Sequence, residues 1–86
     1  MNPYDFKAAH LHSANHRQEL ERSNLCACFH CLESFPPGQI DEWVDDEQTA
    51  MCPRCGVDSV LGDASGLPLA VRSWLEQMQQ LYFGAE

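Results

Sequence analysis

Two cysteine pairs, Cys28-Phe29-His30-Cys31 and Cys52-Pro53-Arg54-Cys55, stand twenty residues apart, and no other feature of this 86-residue chain restricts its folding so strongly. Two thiolates three positions apart on one tight turn supply half of a tetrahedron, and a second such turn supplies the other half. The segment between them then has to fold back as a hairpin that joins the two turns. Cys28, Cys31, Cys52 and Cys55 are therefore the expected ligands of one Zn2+ per chain, with iron as the residual alternative, because four sulfurs in tetrahedral array suit either ion. Gly56 follows the second pair, where such a turn asks for a residue that tolerates positive φ, whereas Leu32 follows the first.

Other uses of the cysteines fit less well. Disulfides need an oxidising compartment, but Met1 to Leu20 is polar, carries His10, His12 and His16, and has no apolar stretch of the kind that directs export. The expected location is the cytoplasm. Five cysteines also leave one unpaired. A thioredoxin-like reading of Cys28-Phe29-His30-Cys31 needs a βαβ scaffold that the chain does not spell out, and it leaves the second pair unexplained. Cys26, two residues before Cys28, has three readings: a competing ligand, a redox-sensitive thiol, or a small buried residue, the last being how free cysteine most often behaves. His30 lies inside the first pair with its side chain expected to point outward. His12 and His16 are spaced four apart, but Ser13 stands where a helical metalloprotease motif needs glutamate, so these histidines are expected at the surface.

A chain of this length buries only a modest core. Structural zinc contributes on the order of 10–16 kcal/mol in small finger peptides, more than such a core supplies, so folding is expected to depend on metal. The formal net charge is −8. Four thiolates and one divalent ion carry it to about −10, which disfavours a phosphate backbone as partner. The excess is local: residues 1–32 hold three acids and three bases, whereas residues 33–86 hold ten acids against Arg54 and Arg72. Asp41, Glu42, Asp45, Asp46 and Glu47 crowd the stretch between the pairs, either as a solvated hairpin or as an acidic face for a basic partner.

The expected architecture is α+β: a small zinc ribbon, made of a short antiparallel hairpin with two C-x2-C knuckles, flanked by N- and C-terminal helices. It forms one domain over 1–86, divided into an N-terminal helical segment (1–24), the ribbon (25–62) and a C-terminal amphipathic helix (63–86). Asp5 to Arg22 lacks Gly and Pro and reads as helical, although Ser13-Ala14-Asn15 is a point where it can break. In the ribbon, Phe35-Pro36-Pro37-Gly38 turns into a strand over Ile40 to Val44, Asp45-Asp46-Glu47 reverses it, Thr49 to Met51 returns, and Val57 to Leu61 forms a third strand. Ile40 and Val44 share one face and Trp43 the other, so both faces are expected to be covered, with the C-terminal helix as the cover. In that helix Val71, Trp74, Leu75, Met78, Leu81 and Tyr82 recur at helical spacing, Pro68 suits the first turn, and Gly84 the stop. Trp74, Tyr82 and Phe83 are candidates for partial exposure, and a homodimer through the Trp74/Tyr82 face is the corresponding expectation.

The string Cys26-x-Cys28-Phe29-x-Cys31, with Phe35, Ile40, Trp43, Thr49-Ala50-x-Cys52-Pro53-x-Cys55-Gly56-x-Asp58-Ser59-Val60, Gly62 and Ser65-Gly66, resembles a family of small bacterial cytoplasmic zinc-ribbon proteins without an established activity. The resemblance covers most of residues 26–66. It implies a fold and a metal but no reaction, and it suggests that Asp58-Ser59 is more than a loop. Taken from the residues alone, Asp58 is expected to bracket backbone N–H groups there, as Asp does in turns. Zinc-containing anti-sigma factors use His-x3-Cys-x2-Cys, and Asn24 breaks that pattern here.

The expected function is that of a non-catalytic, zinc-bearing module acting through contacts with an unidentified protein, with no nucleic acid or membrane as partner. Two alternatives stand beside it. One is an acidic inhibitor, antitoxin or nucleic-acid mimic using Asp41 to Glu47. The other is a metal-dependent hydrolase or thiol redox protein, which four cysteines disfavour because a catalytic zinc keeps a coordination position open.

Overall fold

Where one N-terminal helix is expected, the computed structural model, which describes residues 2–84, has two short ones. Met1, Ala85 and Glu86, which the expected 1–86 unit includes, lie outside the described residues. The Asp5 carboxylate accepts from Ala8 N (3.2 Å) and starts α1 over Phe6–His10. A 3-10 turn, Leu11–Ser13, ends it, with the Ser13 hydroxyl donating to the His10 carbonyl at 2.6 Å. Asn15 then takes φ +50°, and α2 begins at Arg17 and runs to Glu21. Ser13-Ala14-Asn15 is thus the break. Tertiary hydrogen bonds hold it open: Asn15 N donates to Thr49 Oγ1 (2.8 Å), and His16 N and Arg17 N both donate to the Gln48 carbonyl.

The strands are β1 (Cys26–Cys28), β2 (Ser34–Phe35), β3 (Trp43–Val44), β4 (Thr49–Ala50) and β5 (Val60–Gly62). They form two antiparallel pieces, a sheet in the order β2-β1-β5 and a separate β3-β4 hairpin. In the sheet Cys26 faces both Phe35 and Gly62, and Cys28 faces Val60. The expected third strand is therefore present but shifted, from Val57–Leu61 to Val60–Gly62. The hairpin is shorter than expected because a 3-10 turn over Pro37–Gln39 uses up the approach and Asp45, Asp46 and Glu47 all take positive φ, 55 to 65°. Gly62 is required where α2 crosses β5: a Cβ there would collide with Ser23 Oγ and come within 2.7 Å of Leu20 Cδ2.

Because side chains alternate along β1 and β5, the sheet divides the core in two. Ala27 and Leu61 face one cluster with Ala9, Phe29, Leu67, Leu69, Trp74, Leu75 and Met78. Cys26, Cys28 and Val60 face the other, with Leu20, Phe35, Ile40, Ala50 and Cys52. The C-terminal helix, α3 (Arg72–Phe83), closes the first cluster. Its Trp74 is wholly buried and donates its indole N–H to the Pro3 carbonyl at 2.7 Å.

Four expectations are corrected here. α3 covers the sheet rather than the hairpin; Trp43 is instead covered by the Arg17 guanidinium, 4.3 Å above its ring, while Val44 stays exposed. Pro68 lies before α3, whose N-cap is Val71, although Gly84 does end it. Val71 and Leu81, assigned to the apolar stripe, are exposed. Trp74 is committed to its own chain and offers no surface to a second copy, whereas Tyr82 is half-buried with its hydroxyl on the Phe6 carbonyl. No helix among the described residues is long and apolar enough to cross a membrane.

Candidate metal centre

The two cysteine pairs fold into matching turns. In the first, Leu32 N donates to the Cys28 carbonyl (2.8 Å), Cys28 N to the Glu33 carbonyl (3.0 Å), and His30 N to Cys28 Sγ (3.3 Å). In the second, Gly56 N donates to the Cys52 carbonyl (2.9 Å), Cys52 N to the Val57 carbonyl (2.9 Å), and Arg54 N to Cys52 Sγ (3.3 Å). Gly56 has φ +79°, and Leu32 reaches the same left-handed region at +67°. The leading cysteine of each pair is buried and the trailing one half-buried.

β1 delivers the first turn and β4 the second, and the four Sγ atoms meet within 4.8 Å of one another. Cys28 and Cys55 approach to 3.7 Å, as do Cys31 and Cys52. A tetrahedral zinc with Zn–S near 2.3 Å sets its sulfurs about 3.8 Å apart, so the donor set fits the ion in both type and spacing. Iron takes the same four-sulfur set.

Burial and mutual contact shift the thiols of the cluster in opposite directions. Burial pushes the Cys31 thiol far up and the Cys55 thiol to about 11, against backbone N–H donation that works the other way. Cys52 is buried too, yet the N–H groups of Arg54 and Cys55 and the thiols of Cys31 and Cys55 outweigh that burial and lower it. Of the thiols so shifted, Cys52 is the one that its surroundings favour as thiolate. A divalent ion would displace the remaining thiol protons.

No family model, curated protein or solved structure was found to match the chain. The site is read from its own geometry.

Beyond the four cysteines, Ser59 is the notable neighbour. It is buried, with Oγ 3.0 Å from Cys28 Sγ, so its hydroxyl donates once that sulfur is a thiolate. The motif Asp58-Ser59 pointed to this place, but Asp58, the residue expected to bracket backbone N–H groups, is exposed, and it is Ser59 that reaches the cluster. Cys26 is outside the group of four. It is fully buried in the same cluster of apolar residues, and that burial, with the charge of Asp63 behind it, raises its thiol to about 12. It packs as a small apolar residue, the third of its three readings.

His30 is half-buried, its ring edge-on to Phe83 at 4.6 Å and its Nδ1 buried without a hydrogen-bond partner. The expectation of surface histidines fails outright at His16, which is 4% exposed. His16 Nδ1 donates to the His12 carbonyl at 2.7 Å, and Nε2 accepts from Ala50 N at 3.0 Å, which defines a neutral ring. Burial lowers its pKa, ahead of the opposing effects of the His12 carbonyl and Glu19. Helical spacing could not reveal this, because the partner lies 34 residues away.

Proposed function

We propose that this chain is a zinc-ribbon interaction module of the cytoplasm, in which Cys28, Cys31, Cys52 and Cys55 hold one structural Zn2+ and the surface so fixed makes protein contacts without catalysing a reaction. The observation that carries the reading is the gathering of four cysteine sulfurs within 4.8 Å of one another, two pairs of them at 3.7 Å. Four thiolates fill the shell of a structural zinc, and a catalytic zinc has three protein ligands and an open position. Thiolate ligands favour zinc or iron over harder ions, and zinc needs no redox partner. The resemblance to small bacterial zinc-ribbon proteins implies a fold and a metal of this kind, and no role.

Elemental analysis of freshly purified protein tests it. About one zinc per chain, with loss of cooperative unfolding on chelation, is the expected result. Protein that folds cooperatively with neither zinc nor iron bound rejects the reading.

A second reading is favoured by the hairpin tip: Asp41, Glu42, Asp45, Asp46 and Glu47 are all exposed. On that reading the partner is basic, and association weakens steeply with salt. A contact through the exposed Leu81 of α3, with a second copy or another protein, is insensitive to salt and lost in Leu81→Glu. Sedimentation of the chain alone at low and high salt detects self-association through Leu81, whereas the acidic reading expects none without a basic partner.

A further inference from the structure

We infer that a second copy of this chain docks on the outer face of α3, the two helices packing antiparallel about a two-fold axis at Gln77. The inference rests on the interaction reading above and gives it a partner. A groove of about 600 Å3 runs along that face beside α1, lined by Phe6, Ser73, Glu76, Gln77, Gln80 and Leu81. Leu81 is 57% exposed, and Phe6 is only partly covered although its ring lies 6.1 Å from that of the buried Trp74. Tyr4, itself 60% exposed, stands perpendicular to Phe6 at 6.0 Å and extends the apolar surface.

Two observations select a second copy as the occupant. The first is the row Ser73, Gln77, Leu81. Spaced by four residues, these side chains lie in line along one face of α3, and all three are exposed. Rows at this spacing form the ridges by which helices interlock. A two-fold axis through the middle of the row sets Leu81 of each copy over Ser73 of the other, where a small side chain leaves room for a large one. It also brings the two Gln77 amides together, each able to donate to its counterpart and accept from it.

The second is charge. The chain carries −8, but residues 72–84 contain only Arg72 and Glu76, which pair with each other at 3.4 Å, and the adjoining Asp5 and Lys7 also cancel. The groove is thus a neutral face. The acids of the hairpin lie across the sheet from it: α3 packs on the first core cluster, whereas Trp43 and Ala50 belong to the second. Docking through α3 therefore holds the two acidic tips apart, at the outer ends of the pair. A basic partner is drawn to the tip and an acidic one is repelled by the chain as a whole, whereas a copy presents the same neutral face with a leucine to fill it.

Sedimentation equilibrium of the zinc-loaded full chain, from about 5 μM to about 1 mM and in about 0.1 and about 0.5 M NaCl, tests the inference. A contact of one helix and its flank belongs to the small class of interface, so a dimer with Kd on the order of 10–300 μM is expected, unchanged within about threefold between the two salts. Leu81→Glu, at an exposed position where folding is not at stake, raises Kd at least about tenfold. Val44→Glu, which puts the same charge on an exposed apolar residue of the hairpin, leaves it within about twofold. Adding Ser73→Lys to Leu81→Glu lowers Kd again by at least about threefold, because the antiparallel register sets the two new charges side by side across the pair. A monomer at every concentration, an equal loss in Val44→Glu, or no recovery on adding Ser73→Lys overturns the inference. Metal content and cooperative folding judge the zinc-ribbon reading separately, so a folded, zinc-loaded monomer rejects the dimer alone.

Discussion

The two cysteine turns are near copies in their internal hydrogen bonds, yet they are anchored to the molecule in different ways. The first leaves the central strand of a three-stranded sheet, receives a hydrogen bond from Gln79 of α3 on the His30 carbonyl, and has Ser59 on its leading sulfur. The second leaves a two-residue strand of an isolated hairpin, and its ties to the N-terminal segment include His16 Nε2 to Ala50 N, Asn15 N to Thr49, and the N–H groups of His16 and Arg17 on the Gln48 carbonyl. A paired-cysteine turn is thus specified by half a dozen residues, while its resistance to unfolding is set by distant ones. Even the backbone differs, since Gly56 takes the left-handed conformation freely and Leu32 does so at a cost of about 1–2 kcal/mol.

The largest expected effect treats the turns as equals. Cys28→Ser and Cys52→Ser should each abolish zinc binding and cooperative folding, because metal binding energy on the order of 10–16 kcal/mol is folding energy in a small domain. Cys26→Ser should keep the metal and cost about 1–3 kcal/mol for a hydroxyl in an apolar site. Metal content with circular dichroism decides. A Cys28→Ser protein that retains zinc would show that Cys26 takes over the site.

Next in size is the anchor of the second turn. His16→Ala should cost about 2–4 kcal/mol, from a cavity and from an Ala50 N–H left unpaired, and should loosen the hairpin before the three-stranded sheet. Hydrogen exchange at Ala50 and at Ala27 reads the two regions separately. The same residue carries a pH dependence. Its folded pKa lies below the ordinary value of about 6.5, so the unfolded chain takes up the proton first. His16 therefore contributes fully above pH 6.5 or so, and the contribution falls as pH drops from there through the folded pKa, by at most about 1.4 kcal/mol per pH unit. The stability difference between wild type and His16→Gln should shrink across that window. A difference that stays flat from pH 7 to 5 would mean that the ring is not held neutral.

The anchor of the first turn is probed by Ser59→Ala. Losing one hydroxyl donor to a thiolate should weaken zinc affinity about tenfold or more, measured by competition with a chromophoric chelator. Unchanged affinity would reduce Ser59 to a packing residue and remove one of the differences between the turns.

The smallest effects concern the left-handed positions. Gly56→Leu should destabilise by about 1–2 kcal/mol, while Leu32→Gly should fall within about 1 kcal/mol of zero, relief of strain offsetting the loss of a half-buried side chain packed against the first core. Thermal unfolding of the zinc-loaded proteins measures both. Equal losses would mean that the Leu32 side chain matters more than its backbone.

What the sequence alone determined was local. The cluster of four cysteines follows from two three-residue spacings, the break at Ser13-Ala14-Asn15 from residues whose side chains compete with helical hydrogen bonds, the reversal at Asp45-Asp46-Glu47 from turn-forming acids, and the end of α3 from Gly84. Only the tertiary structure decided which surfaces are covered and by what. Trp74 is buried because Pro3, 71 residues away, accepts its N–H; Trp43 is covered by Arg17 rather than by α3; His16 is neutral and buried because Ala50 offers it a donor. Spacing along the chain encodes contacts within a turn or two, where covalent geometry dictates the approach of side chains. Pairing of β1 with β5, across more than thirty residues, depends on which apolar faces meet when the chain closes, and no local pattern carries that information.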